Sequence, residues 1–164
     1  MTDIEVRTAT AEDIPVLADF RTRMFREMGY GDAELNGLPE AQLAYFSAAM
    51  DDGRLHGWLA EEAGRIVGAV ELDVRRVAPG PVHRRGSLPY VYGLFVEQEC
   101  RRRGIAGALM DVVYAWVEAE GYEAVALHAS PAGRPLYEKM GFAATSEMRR
   151  LTSHADRHRP AAED

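Results

Sequence analysis

Apolar and polar positions alternate along residues 4–10, and this pattern predicts a first strand. A helix is predicted next, because apolar residues recur at helical spacing as far as Met28, with Arg21 in the same stripe. Thr10 and Asp13 fit a capping box at the start of this helix. The chain is therefore predicted to begin with a strand and an amphipathic helix.

A second helix and a hairpin are predicted after a glycine-containing loop over residues 29–38. Pro39 suits the first turn of that helix, whose apolar positions continue to Met50. Residues 56–61 and 65–74 are predicted to be two strands joined by a short turn.

The second half of the chain predicts strands that alternate with helices. Residues 89–96 are predicted to be a strand, and an apolar stripe over 105–117 predicts a long helix. A strand over 123–129 would complete a right-handed parallel crossover. A short helix ending at Gly141 and a last strand over 142–151 are predicted to follow. This order indicates a mixed α/β fold.

The length and composition indicate one domain without a metal centre. The chain has 164 residues, and we expect one domain over 1–151 followed by a polar tail over 152–164. Cys100 is the only cysteine, which excludes an intramolecular disulfide and a cysteine-cluster metal site. No membrane span or secretory signal is visible, so we expect a cytoplasmic location.

The net charge bears on the choice of partner. It is −7, which disfavours non-specific nucleic-acid binding and favours cationic partners. Arginine supplies 18 of the 19 basic residues, and Lys139 is the only lysine. Neither a nucleic acid nor a membrane is expected as a partner.

An arginine- and glycine-rich turn follows the strand over 89–96. It reads Arg101-Arg-Arg-Gly-Ile-Ala-Gly107 and leads into the long helix. Free amides and the positive end of the helix dipole predict a phosphate or pyrophosphate site there. A Walker loop is excluded because Lys139, the only lysine, is followed by methionine and not by serine or threonine. A dinucleotide fingerprint does not fit either, because Leu109 stands at the position of its last glycine. The competing interpretation is a basic helix start that only contacts water.

Two motifs together resemble the GCN5-related N-acetyltransferase (GNAT) superfamily. The first is this turn with its strand, and the second is Gly133-Arg-Pro-Leu-Tyr-Glu-Lys-Met-Gly-Phe142. The resemblance is specific between Tyr90 and Phe142 and compatible with the rest of the chain. It implies the GNAT acyl-CoA N-acyltransferase fold, a mixed α/β fold. Its twisted central sheet is mostly antiparallel, with a splayed parallel pair of fourth and fifth strands and about four flanking helices.

The resemblance implies acetyl-CoA as the donor for direct transfer of an acetyl group to a primary amine in a ternary complex. The pyrophosphate would bind the amides of the arginine turn, and the pantetheine arm would lie along the preceding strand, where Gly93 marks a bulge. The residues expected to bind the donor are Leu94, Phe95, Val96, Arg101, Arg102, Arg103, Gly104, Ile105, Ala106, Gly107, Ala108, Ser130, Gly133, Arg134 and Tyr137.

Three residues are candidates for the chemistry. Tyr137 matches the family tyrosine that is expected to protonate the departing thiolate, although a tyrosine that only packs under the sheet is the alternative. Glu71 is the best carboxylate for a general base, directly or through water, unless it is a solvated charge. Tyr92 lies on the fourth strand, where family members often place a base, but a tyrosine with a reference pKa of about 10 is a poor base at neutral pH.

The acceptor is expected to be a small cationic amine, such as a polyamine, an aminoglycoside or an amino-acid-like amine, because the chain is acidic. A protein N-terminal or lysine acetyltransferase, another acyl donor, and a CoA-binding sensor or structural protein without turnover are the alternatives. Homodimers are frequent in the family, which leaves a homodimer open. The residues expected near the acceptor are Met28, Tyr30, Glu71, Tyr90, Tyr92 and His128.

Overall fold

The computed structural model describes residues 3–150 and shows a five-stranded sheet with helices on both faces. The strands lie in chain order across the sheet. Neighbours among the first four are antiparallel, and the fifth runs parallel to the fourth. This topology confirms the mixed sheet with a parallel last pair. The strands are β1 (Ile4–Thr8), β2 (Leu55–Glu62), β3 (Arg65–Arg76), β4 (Ser87–Val96) and β5 (Ala126–Leu127).

The helices pack on the two faces of the sheet and form a separate apolar core on each face. Leu109 of the long helix packs against Val70 on one face of β3, and Leu17 and Phe46 of two earlier helices pack near Ala69 on the other. Burial of such side chains stabilises the fold by roughly 1.5–3 kcal/mol each. The helices are α1 (Ile14–Glu27), α2 (Asp32–Leu35), α3 (Leu38–Asp51), α4 (Ile105–Ala119) and α5 (Arg134–Lys139).

The predicted capping box is present ahead of α1. The backbone N–H of Thr10 donates to the Asp13 carboxylate at 2.8 Å, and a 3₁₀ turn over Ala11–Asp13 leads into the helix. Two guanidinium nitrogens of Arg7 also bind Asp13, which ties the end of β1 to the helix start. The first strand and first helix are therefore held in the predicted order.

The last predicted strand is wrong for its described part. Residues 143–150 have no regular structure and are exposed, and Leu151 lies outside the described residues together with the tail over 152–164. Their side chains are mainly small or charged, so they offer little apolar surface to bury against β5. β5 itself is shorter than the predicted 123–129 and pairs with only two residues of β4.

Candidate active site

A β-bulge in the middle of the sheet creates a niche for one carboxylate. Glu71 of β3 pairs with Gly93 of β4, and Leu72 pairs with Val91, so Tyr92 is the extra residue. A Cβ at Gly93 would overlap Glu71 Oε1 and lie 2.9 Å from its Cδ. The bulge predicted at Gly93 is therefore confirmed, and the missing side chain leaves space for Glu71.

Glu71 is buried rather than solvated. Its residue surface is 2 % exposed, and among residues 3–150 its Oε1 has no hydrogen-bond partner. The nearest opposite charge is Arg21 of α1, whose Nη1 is 4.0 Å from Oε1. Burial raises the pKa of Glu71 to about 7, and the charge of Arg21 offsets part of that rise. A carboxyl group with this pKa can take up and release a proton near neutral pH.

A cleft of about 680 Å³ runs along the end of β4 and the start of α4. Gly104 caps α4 with φ +82°, and Arg102 has φ +62°, so the turn before the helix uses left-handed conformations twice. Backbone amides in such a turn and in the first turn of a helix form an anion-binding nest. Of the expected donor residues, the cleft is lined by Leu94, Phe95, Val96, Arg101, Arg102, Gly104, Ile105, Ala106, Gly107, Ser130, Gly133 and Tyr137.

The arginines of the turn are held mostly by protein partners. Arg101 donates to the carbonyl of Val96 and to the carboxylate of Glu27, both at 2.8 Å. Arg103 pairs with Glu62 at 2.5 Å and, like Ala108 and Arg134, does not line the cleft. An anion in this cleft would therefore bind mainly to the backbone amides of the turn, because Arg101 and Arg103 already have protein partners.

Ser130 and Gly133 position Tyr137 at the inner end of this cleft. Ser130 Oγ accepts a hydrogen bond from the Gly133 N–H at 3.1 Å, which closes the turn that leads into α5. A Cβ at Gly133 would lie 3.2 Å from both Ser130 Oγ and Tyr137 Cε2. Burial and the charge of Glu71 raise the pKa of Tyr137 to about 12, so its hydroxyl stays protonated at neutral pH.

A second cleft of about 370 Å³ opens on the other side of Tyr137. Four residues line both clefts: Met24, Leu94, Ser130 and Tyr137. Glu71 lies behind Gly93 and does not appear on the wall of the second cleft. The other residues expected near the acceptor all line it: Met28, Tyr30, Tyr90, Tyr92 and His128.

Comparison with known proteins identifies the family. The sequence matches the model of the acetyltransferase (GNAT) domain over residues 29–152. The chain belongs to the GNAT acetyltransferase family. No curated protein matches the GNAT chain.

Solved structures show the same GNAT fold. A GCN5-related N-acetyltransferase from Ralstonia eutropha is 30 % identical, with a TM-score of 0.87 over 92 % of this chain and 99 % of that one. A protein of Clostridium acetobutylicum described as a predicted acetyltransferase, solved with acetyl-CoA, is 25 % identical, with a TM-score of 0.85 over 95 % and 100 %. An aminoglycoside N-acetyltransferase in complex with CoA is similar in fold at 18 % identity, with a TM-score of 0.72 over 93 % and 96 %.

The second cleft of this GNAT domain also contains arginines that the sequence did not assign to a site. Arg21, Arg75 and Arg149 all line it. Arg21 donates a short hydrogen bond to the carbonyl of Tyr92, and Arg75 Nε donates to the Tyr92 hydroxyl at 3.0 Å. Arg21 had a sequence signal of its own, as a charged residue within an otherwise apolar helical stripe.

The aromatic residues expected near the acceptor lie around these arginines. Tyr90 is 6 % exposed, and its hydroxyl has no hydrogen-bond partner within the part of the chain that the structure describes. The His128 ring lies 5.5 Å from that of Tyr90, and its Nε2 is 2.9 Å from Glu147. Tyr90 thus lines the cleft while its hydroxyl is a buried polar group without a partner in residues 3–150.

Neither a metal centre nor a membrane-spanning helix is found in the described region. Residues 3–150 contain no group of three or more His, Cys, Asp or Glu that could hold a metal ion. Over the same residues, every helix is too short or too polar to cross a bilayer.

Replacing Glu71 with glutamine is expected to change how stability depends on pH. The unfolded carboxyl ionises near its ordinary value of 4.5 and the folded one near 7, so the folded state binds the extra proton between these values. As pH rises from 4.5 to 7, the free energy of unfolding of the wild type should therefore fall by about 3 kcal/mol relative to that of the glutamine variant. Urea unfolding of both proteins from pH 4.5 to 8 measures the difference; parallel stability curves would contradict it.

Proposed function

We propose that the protein transfers the acetyl group of acetyl-CoA to a primary amine of a small molecule, by direct attack of the amine on the thioester. The observation that carries this proposal is the meeting of two clefts at Tyr137, with the buried carboxylate of Glu71 behind Gly93. One cleft would hold the donor and the other the acceptor. The family membership of the chain supports the acyl transfer itself.

The donor cleft fits a coenzyme A ester. The N–H groups in the first turn of α4 have no carbonyl acceptor within the helix, so they are free to bind the pyrophosphate. Gly104 and Arg102 adopt positive φ, which shapes the turn before the helix into an anion-binding nest. Leu94 and Val96 line the path from that turn to Tyr137, where the thioester would lie. The similar Clostridium acetobutylicum structure was solved with acetyl-CoA, which supports the same donor here.

Glu71 and Tyr137 divide the proton transfers between them. Glu71 takes a proton from the acceptor ammonium, directly or through one water, and the neutral amine then forms a C–N bond with the thioester carbonyl. As the C–S bond breaks, the hydroxyl of Tyr137 donates its proton to the leaving thiolate. Tyr92 is already engaged as the acceptor of the hydrogen bond from Arg75, so Glu71 is the favoured base.

The size of the second cleft favours a small acceptor. Its volume of about 370 Å³ is at the lower end of what small-molecule sites enclose. Aromatic residues such as Tyr30 and Tyr90 line this cleft, as is common in small-molecule sites. The expected cytoplasmic location and a homodimer stay predictions.

Replacing Tyr137 with phenylalanine is expected to lower kcat while leaving acetyl-CoA affinity nearly unchanged. The variant keeps the ring that packs against Phe142 and loses only the hydroxyl group, and with it the proton that Tyr137 would donate. A thiolate is a better leaving group than an alkoxide, so the loss should be about 10- to 100-fold, at the lower end of general-acid effects. Steady-state kinetics with both substrates, beside Tyr122→Phe as a ring-preserving control that lines neither cleft, measures this. Unchanged turnover would remove the acid role of Tyr137.

The donor assignment is tested by thermal stability with acyl-CoA esters. Saturating acetyl-CoA should raise Tm, because a ligand at about 100 times its Kd stabilises the native state by about 2.7 kcal/mol. CoA and longer acyl-CoA esters, measured in parallel, define the acyl preference. Absence of any shift with all of them would contradict the proposal.

A further inference from the structure

The acceptor cleft is positively charged although the whole protein is acidic. The formal net charge is −7, yet the residues that line this cleft include Arg21, Arg75 and Arg149 and neither Asp nor Glu. Long-range attraction depends on the total charge, whereas recognition inside a cleft depends on the groups within a few ångströms. Among the small cationic amines that the composition favoured, the local charge therefore favours the amino-acid-like amine over the polyamine and the aminoglycoside.

Arg75 is fixed in place by two tyrosines. Its guanidinium carbon lies 3.3 Å from the centroid of the Tyr90 ring and 4.7 Å from that of Tyr92. Its Nε donates to the Tyr92 hydroxyl at 3.0 Å. Among residues 3–150, neither Nη atom of Arg75 has a hydrogen-bond acceptor, and no carboxylate lies within ion-pair distance. The planar group is thus held while its outer N–H donors remain for a ligand.

The other two arginines of the cleft already have acidic neighbours. Arg21 is 4.0 Å from Glu71, and Arg149 is 3.4 Å from Glu147. Burial lowers the pKa of Arg21, and the nearby charge of Arg75 lowers it further, against the attraction of Glu71. Arg21 and Arg75 thus repel each other, and of these two arginines only Arg21 has a carboxylate at ion-pair distance within residues 3–150. A bound anion would supply a negative charge beside Arg75.

We propose that the acceptor is an amine that carries a carboxylate, an amino acid or amino-acid derivative, and that Arg75 binds the carboxylate. This inference rests on the proposed function, because it names the acceptor of the same site. A guanidinium held flat can form two parallel N–H···O bonds with a carboxylate, and the amine of the same molecule is then directed toward Glu71 and the thioester.

The charges of such an acceptor match the cleft from end to end. An amino acid is a zwitterion, so it is not repelled by either the acidic protein or the basic cleft. Its ammonium points toward the carboxylate of Glu71 behind Gly93, which it reaches directly or through one water, and its carboxylate meets Arg75. A polyamine or aminoglycoside would instead bring further positive charge against Arg75 at close range, which is unfavourable without an intervening anion.

Matched acceptors test the carboxylate assignment. Each set contains an amino acid, its carboxamide, its decarboxylated amine and its aminophosphonate. Every set is assayed with four proteins: the wild type, Arg75→Gln, Arg75→Lys and, as the control, Arg76→Gln at the exposed neighbouring position. In the wild type and Arg76→Gln, kcat/KM should be about 10- to 100-fold higher for the carboxylate than for the carboxamide, as expected for a charge-assisted bond. Arg75→Gln should lose that preference through KM, with the KM for acetyl-CoA unchanged, and Arg75→Lys should keep part of it.

Acceptor binding measured without catalysis separates this inference from the proposed function. Calorimetric titration of the same sets into CoA-loaded wild type and Arg75→Gln should show the carboxylate preference in the wild type alone. Equal or tighter binding of the carboxamide, the decarboxylated amine or the aminophosphonate to the wild type would overturn the assignment, whatever the turnover. Carboxylate-selective binding that depends on Arg75 but gives no acetylated product would support the assignment and contradict the proposed function.

Discussion

Replacing Glu71 with glutamine is expected to lower kcat/KM about 10²- to 10³-fold at neutral pH, within the range of general-base effects. Glutamine preserves the size of the side chain in its niche beside Gly93 but cannot accept a proton from the attacking ammonium. Solvent could replace the base only poorly, because Glu71 is 2 % exposed. Steady-state kinetics at saturating acetyl-CoA measures the loss, with the exposed Glu5→Gln as the matched control.

The pH profile of the same variant distinguishes a base from a structural carboxylate. The pKa of Glu71 is raised to about 7, so the wild-type kcat/KM should rise as pH increases through 7 and the carboxylate becomes ionised. The glutamine variant should lose that inflection. An identical profile in both proteins would assign the base role to water or to a tyrosine such as Tyr92.

Replacing Gly93 with alanine is expected to damage both stability and activity. The new Cβ would overlap Glu71 Oε1 and lie 2.9 Å from Cδ, in a region where the strand backbones cannot separate freely. Overpacking of this kind typically costs about 1–3 kcal/mol. Glu71 must also leave its niche, so turnover should fall at least as far as in the glutamine variant. Urea unfolding and kcat/KM measure the two effects.

A double-mutant cycle shows whether the overlap with Glu71 is the cause. Glu71→Ala removes the carboxylate, so Gly93→Ala should cost much less stability in that background than in the wild type. Gly107→Ala in α4 is the stability control, because a Cβ there has nothing within 4 Å. Equal destabilisation by Gly93→Ala with and without the Glu71 side chain would show that the backbone, and not the niche, requires glycine.

The sequence predicts the turn before α4, the helix itself and the bulge in β4 well, because the signals for these features are local. The apolar stripe of α4 is periodic, and the turn before it contains the glycine at residue 104 that adopts a positive φ. The bulge at Gly93 was also predictable, since glycine inside an apolar strand commonly marks a bulge or a close approach of another group. Each of these features depends on residues close together in the chain.

The second cleft was less predictable because it is assembled across several elements. Arg75 becomes a candidate ligand only when the antiparallel register of β3 and β4 places it over Tyr90 and Tyr92. Composition favoured small cationic amines in general, since the total charge says nothing about where individual arginines lie. The predicted last strand is absent over residues 143–150 for a different reason, because that part of the chain has too little apolar surface to bury.

Transfer of an acetyl group from acetyl-CoA to an amine at the junction of the two clefts has one decisive test. CoA thiol release is measured with a panel of amino acids and other amines, together with mass spectrometry of the products. We expect thiol release that depends on the amine and matches the formation of an N-acetylated product. Binding of acetyl-CoA without amine-dependent thiol release from any member of the panel would contradict the transfer, and would favour a CoA-binding sensor.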